Sequence, residues 1–503
     1  MARARSRSPG PPPSPSRSSG VPPPSSPASE TAKAAREPFT TPHTVFALIL
    51  LIGYVLYFGW TDASPTDASV PLEDSRLLRI RSSLWYSMVV FLCYCWLQLR
   101  DGDLVRPHPA LWRGVHGAGI MYLLFIVALF AQSTGQEARE LLRVADPKLN
   151  ATQAPLENTK EYAADCRLVD SLGFPSTILK DTVFDIFMVA HALGWVFQFI
   201  ILRDWWICWA ISIHFEFLEM TFQYMLPNFK ECWWDHLFLD VLGMNLLGMF
   251  IGSRIVQFAE MREYRWASLR EIPSKTGKLK RIAGQFFPLE WTTYTWDALG
   301  SGRKFFAFVT TIVTLNAVQI SAFYLKFILY VPPENTLNHW RLGWWAFFGM
   351  PFVREFYIFC VNPEANRLGQ NAWLGMATIV AELALIFKFA PAEIAASDQQ
   401  LTWTSGWGLV WVLNTALLAA FSILHFAPSW LRRNCFDYST VSPAARKAVD
   451  TLLIVAVVIP CVMGVYELVQ TMGYCNNDKR TVFDGCADSR LQLRGWGADE
   501  REL

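Results

Sequence analysis

Residues 201–252 read ILRDWWICWAISIHFEFLEMTFQYMLPNFKECWWDHLFLDVLGMNLLGMFIG. Two apolar runs lie in or near this stretch, Trp205 to Leu226 and Asp235 to Val256. Each is close to the ~20 helical residues needed to cross a hydrocarbon core. A short polar connection joins them, and both carry acids and histidines at positions that a purely lipid-facing helix would not tolerate. Working outward, further apolar runs occur near Thr44 to Trp60, Ser83 to Leu99, Val115 to Gln132, Thr182 to Leu202, Phe305 to Val331, Trp340 to Cys360, Ala372 to Phe389, Trp403 to Phe426 and Val449 to Met472. The expected fold is all-α, a polytopic transmembrane bundle of about 10–11 spanning helices, because only helices satisfy every backbone group within the segment in lipid. Composition agrees: 52% of the 503 residues are hydrophobic and only 17% charged, where soluble domains carry about a quarter. Lys plus Arg number 44 against 43 for Asp plus Glu, so there is no basic excess to recruit nucleic acid.

Three regions follow. Residues 1–40 are rich in Pro, Ser and Arg with few large apolar side chains, which predicts a disordered cytosolic tail. Residues 41–472 are expected to form the transmembrane domain that carries any chemistry, and 473–503 a polar C-terminal tail. With the first tail inside, alternation places Arg254, Arg262, Arg265, Arg270, Lys275, Lys278, Lys280 and Arg281 in one cytosolic loop, as the positive-inside rule requires. The same alternation puts the loop Gln136 to Lys180 in the lumen, together with the glycosylation sequon Asn150-Ala151-Thr152. No CxxC pair marks a zinc site. Cys475 and Cys486 bracket CNNDKRTVFDGC, which a disulfide closes if that side is oxidising.

Ionisable residues concentrate in a few neighbouring stretches. His191 sits in MVAHALGW; His214, Glu216 and Glu219 in IHFEFLEMTF; Asn228 and Glu231 in LPNFKECWWDH; and Asp235, His236 and Asp240 follow. Glu216 and Glu219 are i, i+3, while Glu231 with Asp235 and His236 with Asp240 are i, i+4 if helical. The carboxylates of Glu216, Glu219, Glu231, Asp235 and Asp240 would repel one another, and leaving them unmatched in low dielectric is prohibitive. Irregularly spaced oxygen ligands suit a hard ion such as Ca²⁺ or Mg²⁺. Counted from the assigned lumenal ends, His191, Glu219, Glu231, Asp235 and Asp240 fall in the lumenal half of the membrane, which favours calcium. The plainer reading pairs the acids with basic residues of the bundle, but only Arg203 and Lys230 are near in sequence. Taken alone, His191 reads as a core histidine bonded to a carbonyl, and His214 and His236 are left with that role.

These residues carry a resemblance. ILRDWWICWAISIHFEFLEMTFQYMLPNFKECWWDH resembles the core of the phosphatidylserine synthase family of base-exchange enzymes, and RPHPALWRGVHG from Arg106, MVAHALGW, LDVLGMNLLGMFIG from Leu239 and GMPFVREFYIF from Gly349 agree in order. The resemblance covers roughly 44–389. It implies an endoplasmic reticulum membrane, Ca²⁺ dependence, and exchange of L-serine for the choline or ethanolamine of phosphatidylcholine or phosphatidylethanolamine. It matches the family's histidine to His191, and its acidic and amide positions to Glu216, Glu219, Asn228, Glu231, Asp235 and Asp240. The carboxylates are read as metal ligands and Asn228 as a substrate contact, with an acid holding serine's ammonium as the alternative.

The exchange chemistry stands beside that resemblance. Replacing one phosphodiester alcohol by another consumes no nucleotide energy, and it needs a base and charge relief. A neutral His191 can take the serine hydroxyl proton and return one to the leaving alcohol, or attack phosphorus itself to form a phosphohistidine. Two other classes compete. A CDP-diacylglycerol-dependent phosphatidyltransferase carries a DGxxAR motif, and Asp101-Gly102-Asp103 continues LVRPH without the remainder. An ion-coupled lipid or amino-acid transporter also buries acids, but no internal repeat is evident. Arg106, His108 and Arg354 are candidates for a regulatory lipid head group or for interfacial anchoring, and a homodimer is compatible with these features.

Overall fold

The computed structural model describes residues 42–61, 72–102, 104, 108–149, 186–223, 225–226, 229, 231–260, 270–285, 294–396, 406–426 and 443–477. The predicted tail 1–40, the sequon at Asn150 and Cys486 of the expected disulfide lie outside them. The chain divides into Met1–Ser64 and Pro65–Leu503. The first unit holds one apolar helix, α1 (Pro42–Thr61).

Among the described residues, the regular elements of the second unit are all helices. It comprises α2 (Leu72–Gln98), α3 (Pro109–Phe130), α4 (Gly135–Ala145), α5 (Ile186–Leu202), α6 (Trp205–Phe222), a π-helical segment Asp235–Asn245 continuing into α7 (Leu246–Glu260), α8 (Lys275–Gln285), α9 (Gly302–Leu329), α10 (Thr336–Val361), α11 (Gln370–Ala396), α12 (Gly406–Phe426) and α13 (Pro443–Asn477). Seven described helices are long and apolar enough to cross a membrane, and Phe46–Tyr57 and Met188–Leu202 are shorter apolar helices. The two remaining expected spans are α6 and α10. Their hydropathy is lowered by Glu216 and Glu219, and by Arg341, Arg354 and Glu355. The chain is an all-α, multi-pass membrane protein.

Helices α5, α6, α7, α9, α10 and α11 contribute to one apolar core that includes Phe199, Ile207, Ile211, Met249, Phe348 and Phe352. A second core gathers Ile126, Leu142, Phe215, Phe229, Tyr324, Ile328 and Leu385. Helix ends are closed by side chains: Asp204 accepts from the amides of Trp206 and Ile207 at the start of α6. Left-handed Arg203 (φ 56) makes the tight α5–α6 turn, as Tyr330 (φ 53) ends α9, each at a steric cost a non-glycine residue carries only where the surroundings enforce it.

A buried ion pair ties four spans together. Arg341 on α10 donates through Nη2 to Glu382 Oε2 on α11 (2.7 Å) and to Ser321 Oγ on α9 (2.8 Å), and through Nε to Tyr122 on α3 (3.0 Å). Glu382 is 0% exposed. Removing one partner of such a pair strands the other charge, at about 3–5 kcal/mol. Glu382→Ala is therefore expected to lower the melting temperature and detergent-extracted yield sharply, while Glu382→Ala with Arg341→Met recovers part of the loss. A double variant no more stable than Glu382→Ala would refute the pairing as the cause.

Candidate active site

The site forms where α5, α6 and the segment Asp235–Asn245 meet. On α6, Ser212, Glu216 and Glu219 are spaced i, i+4, i+7 and so share one face; all three are buried. The connection that follows is pinned by Phe229, fully buried against Phe215 and Phe323, and by Cys232, which is disulfide-bonded. Glu231 is thereby held beside the helix ends.

The π-helical segment supplies the other wall. Its i→i+5 ladder stacks residues five apart, which brings Asp235, Asp240 and Asn245 toward one side; on an α-helix, residues five apart diverge by about 140°. Asp235, His236, Asp240 and Asn245 are all buried. Such π-helical insertions recur at functional sites.

The sequence-derived acids converge. One oxygen or nitrogen from each member of Glu216, His236 and Asp240 lies within 4.8 Å of the others, as holds for Glu219, Glu231 and His236, and for Glu231, Asp235 and Asp240. His236, assigned a core role from sequence, sits inside the cluster. Its Nδ1 is 3.0 Å from Glu216 Oε2 and 3.6 Å from both Glu219 Oε2 and Glu231 Oε2. One imidazole does not balance this many carboxylates, and Glu231 Oε2 is buried with no hydrogen-bond partner. An oxygen-rich set with an orphaned carboxylate oxygen fits a hard cation.

His191 stands at the edge of this cluster. Its Nε2 lies 2.6 Å from Asn245 Oδ1 and 3.8 Å from Asp240 Oδ1, and the Trp195 indole N–H points at the same nitrogen from 3.3 Å. Asn245 Nδ2 donates to Ser212 Oγ (2.8 Å), which turns Oδ1 toward His191. The tautomer protonated at Nε2 donates to Oδ1 and leaves the Trp195 N–H without an acceptor there, whereas the other tautomer accepts from Trp195 at Nε2. In the first of these tautomers the Nδ1 lone pair is left for chemistry. The His191 side chain is 31% exposed, whereas its partners are buried, so it is the reachable end of the network. Asn245 and Ser212 were not picked out from sequence. Neither is ionisable, and each acts only through a partner far away in the chain.

The other predicted residues fall elsewhere. Asn228 and Arg106 lie outside the described residues. His108 is exposed and caps α3, accepting from the Ala110 amide at 3.1 Å. Arg354 is half-buried on α10, with Nε and Nη1 buried and without hydrogen-bond partners.

Known proteins share this arrangement of sequence. A family model described as phosphatidyl serine synthase matches residues 107–390, a span that contains every residue of the cluster. "Phosphatidylserine synthase 2" of Danio rerio is 34% identical over 77% of this chain and 82% of its own, and the Homo sapiens protein of that name is 34% identical over 78% and 79%. A rice protein named "CDP-diacylglycerol--serine O-phosphatidyltransferase 2" is also 34% identical, over 76% of this chain and 88% of its own. A buried acidic cluster with a histidine at its mouth, inside a span matched from end to end, makes this chain a member of the phosphatidylserine synthase family and a phosphatidyltransferase.

Proposed function

We propose that the protein makes phosphatidylserine by exchanging L-serine for the choline or ethanolamine of an existing phospholipid, at His191 and in the presence of calcium. The observation that carries this reading is the placement of His191, its Nε2 2.6 Å from Asn245 Oδ1, at the edge of a buried acidic cluster that one imidazole does not balance. The tautomer protonated at Nε2 offers Nδ1 as the base. Serine's hydroxyl proton passes to Nδ1 as its oxygen bonds to phosphorus. The bond from phosphorus to the choline or ethanolamine oxygen breaks, and the proton returns to that leaving oxygen. A histidine attack on phosphorus uses the same lone pair in two steps. Glu216, Glu219, Glu231, Asp235 and Asp240 would hold the ion, which when bound polarises the phosphoryl oxygens. Asn228 is assigned to the substrate, and Arg106, His108 and Arg354 to a regulatory head group. The disulfide at Cys232, next to Glu231, supports an oxidising and hence lumenal side for the site, in the endoplasmic reticulum membrane.

A second reading comes from the rice relative, whose name gives CDP-diacylglycerol as donor. Purified protein with labelled serine separates the two. Base exchange releases one choline or ethanolamine per phosphatidylserine formed, and the other route releases CMP. Product formation from CDP-diacylglycerol alone would overturn the exchange reading.

The cation assignment has its own test. Glu219→Gln or Asp235→Asn removes one charge from the cluster while keeping its volume, so each is expected to raise the calcium needed for half-maximal activity by roughly tenfold. Abundance should stay near the parent's, because a neutral side chain is cheaper to bury. If both variants keep the parent's calcium response, the ion is held elsewhere.

A further inference from the structure

Helix α6 has a second working face. At about 100° per residue, His214, Phe217 and Thr221 lie opposite Ser212, Glu216 and Glu219. That opposite face is occupied by the hairpin α12–α13, which lies beyond the residues the family model matches. Trp411 of α12 donates from Nε1 to Thr221 Oγ1 at 2.9 Å. Its ring meets His214 edge-on, with centroids 5.1 Å apart. Trp407 and Phe217 lie 6.1 Å apart, and Met220, Trp407 and Val410 are buried together. On α13, Gly464 permits close approach, since a Cβ there would lie 2.8 Å from the Phe217 ring.

The contact is braced on both sides. His214 Nδ1 is 3.0 Å from Asn316 Nδ2 on α9, so the imidazole is held between α9 and Trp411. The hairpin is joined internally by Asn414 Nδ2 donating to Ala456 O. Its other end is fixed separately, where Phe421 and Val449 pack on Phe305 of α9.

We propose that Trp411 is a positioning residue for the acidic cluster: through His214 and Thr221 it sets the rotation of α6, and with it the placement of the Glu216 and Glu219 carboxylates. This rests on the reading of those carboxylates as cation ligands. The lever is short and stiff. With side-chain oxygens about 6 Å from the helix axis, a rotation of about 10° moves a carboxylate by about 1 Å, whereas calcium–oxygen distances span only about 0.3 Å.

The test uses the full chain in lipid vesicles, with serine incorporation followed across a calcium titration and abundance measured in parallel. Direct binding of radioactive calcium to the purified protein is measured beside it and is expected to weaken in step. Trp411→Ala is expected to raise the calcium needed for half-maximal activity by about tenfold, the scale of losing a group that orients a metal ligand, with the maximal rate at saturating calcium preserved. Trp411→Phe keeps the ring on His214 and loses only the indole N–H, so it should shift the response less. Thr221→Val, a near-isosteric loss of the acceptor, should shift it in the same direction and decides the matter if Trp411→Ala does not accumulate. Phe421→Ala, which loosens the far end of the hairpin, should leave the calcium response unchanged. Loss of activity by Trp411→Ala in equal proportion at all calcium levels would overturn the proposal, as would an equal shift from Phe421→Ala. Glu219→Gln run alongside separates the two ideas. An unshifted Glu219→Gln refutes the cation reading itself, while a shifted Glu219→Gln with unshifted Trp411 and Thr221 variants refutes only the positioning role.

Discussion

Replacing His191 by Ala is expected to lower serine incorporation by a factor of about a hundred or more, the scale of losing a general base, with calcium response and abundance close to the parent's. The expectation follows from the division of labour around the imidazole. Nε2 is occupied by Asn245, and the nearest acid to it, Asp240, is 3.8 Å away, so His191 contributes little to holding the cluster together. The clustered groups with metal-ligand spacing are built from Glu216, Glu219, Glu231, Asp235, His236 and Asp240 without it. Loss of His191 should therefore depress turnover without changing the calcium needed, the inverse of the signature expected for Glu219→Gln. Asn245→Ala should fall between, since the imidazole survives but is no longer oriented. Serine incorporation at saturating and limiting calcium measures all three. Full activity in His191→Ala would remove the histidine from the mechanism under either the direct or the two-step route.

The second large effect is expected at Gly248, where Val should abolish most activity although the residue is not a member of the acidic cluster. Helices α5 and α7 cross in contact at Gly248 and Gly252, a small-xxx-small pair that permits close backbone approach in membranes. A Cβ at Gly248 would collide with the carbonyl oxygen of Ala192 and lie 2.6 Å from Trp195 Cβ; at Gly252 it would lie 2.8 Å from Phe199 Cβ and 2.9 Å from Val196 O. These obstacles are backbone or backbone-proximal atoms, so no rotamer change relieves them and the helices must separate. Overpacking of this kind costs about 1–3 kcal/mol or more. The catalytic consequence is larger, because α5 carries His191 and the segment running into α7 carries Asp240 and Asn245. A separation of about 1 Å would break the 2.6 Å contact of His191 with Asn245, and misplacement on that scale alone costs about a hundredfold. Gly248→Ala should be milder in the same direction. Parent-like activity in Gly248→Val, at normal abundance, would show that the close crossing does not position the histidine.

The amino-acid sequence by itself determined the class and the cast. Apolar runs of spanning length fix which segments are helices, because lipid leaves the backbone no other partner, and every such expected run falls largely on a helix. Buried acids are conspicuous for the same reason: in a bilayer each carboxylate must be accounted for, so Glu216, Glu219, Glu231, Asp235 and Asp240 were legible as one group. What only the tertiary structure decided is how they meet. Nothing in DHLFLDVLGMN announces a π-helical ladder from Asp235 to Asn245. The i+5 pitch is held by packing against α5 and α6, and local propensity does not distinguish it from an α-helix. An α-helical reading pairs His236 with Asp240 and leaves Asn245 out. The π-helical backbone sets His236 among the glutamates, lines up Asp235, Asp240 and Asn245, and brings Asn245 to His191 across 54 residues of chain. Roles that depend on a distant partner, such as those of Asn245, Ser212 and Trp411, have no local signature, because what defines them is a contact made only when the helices pack.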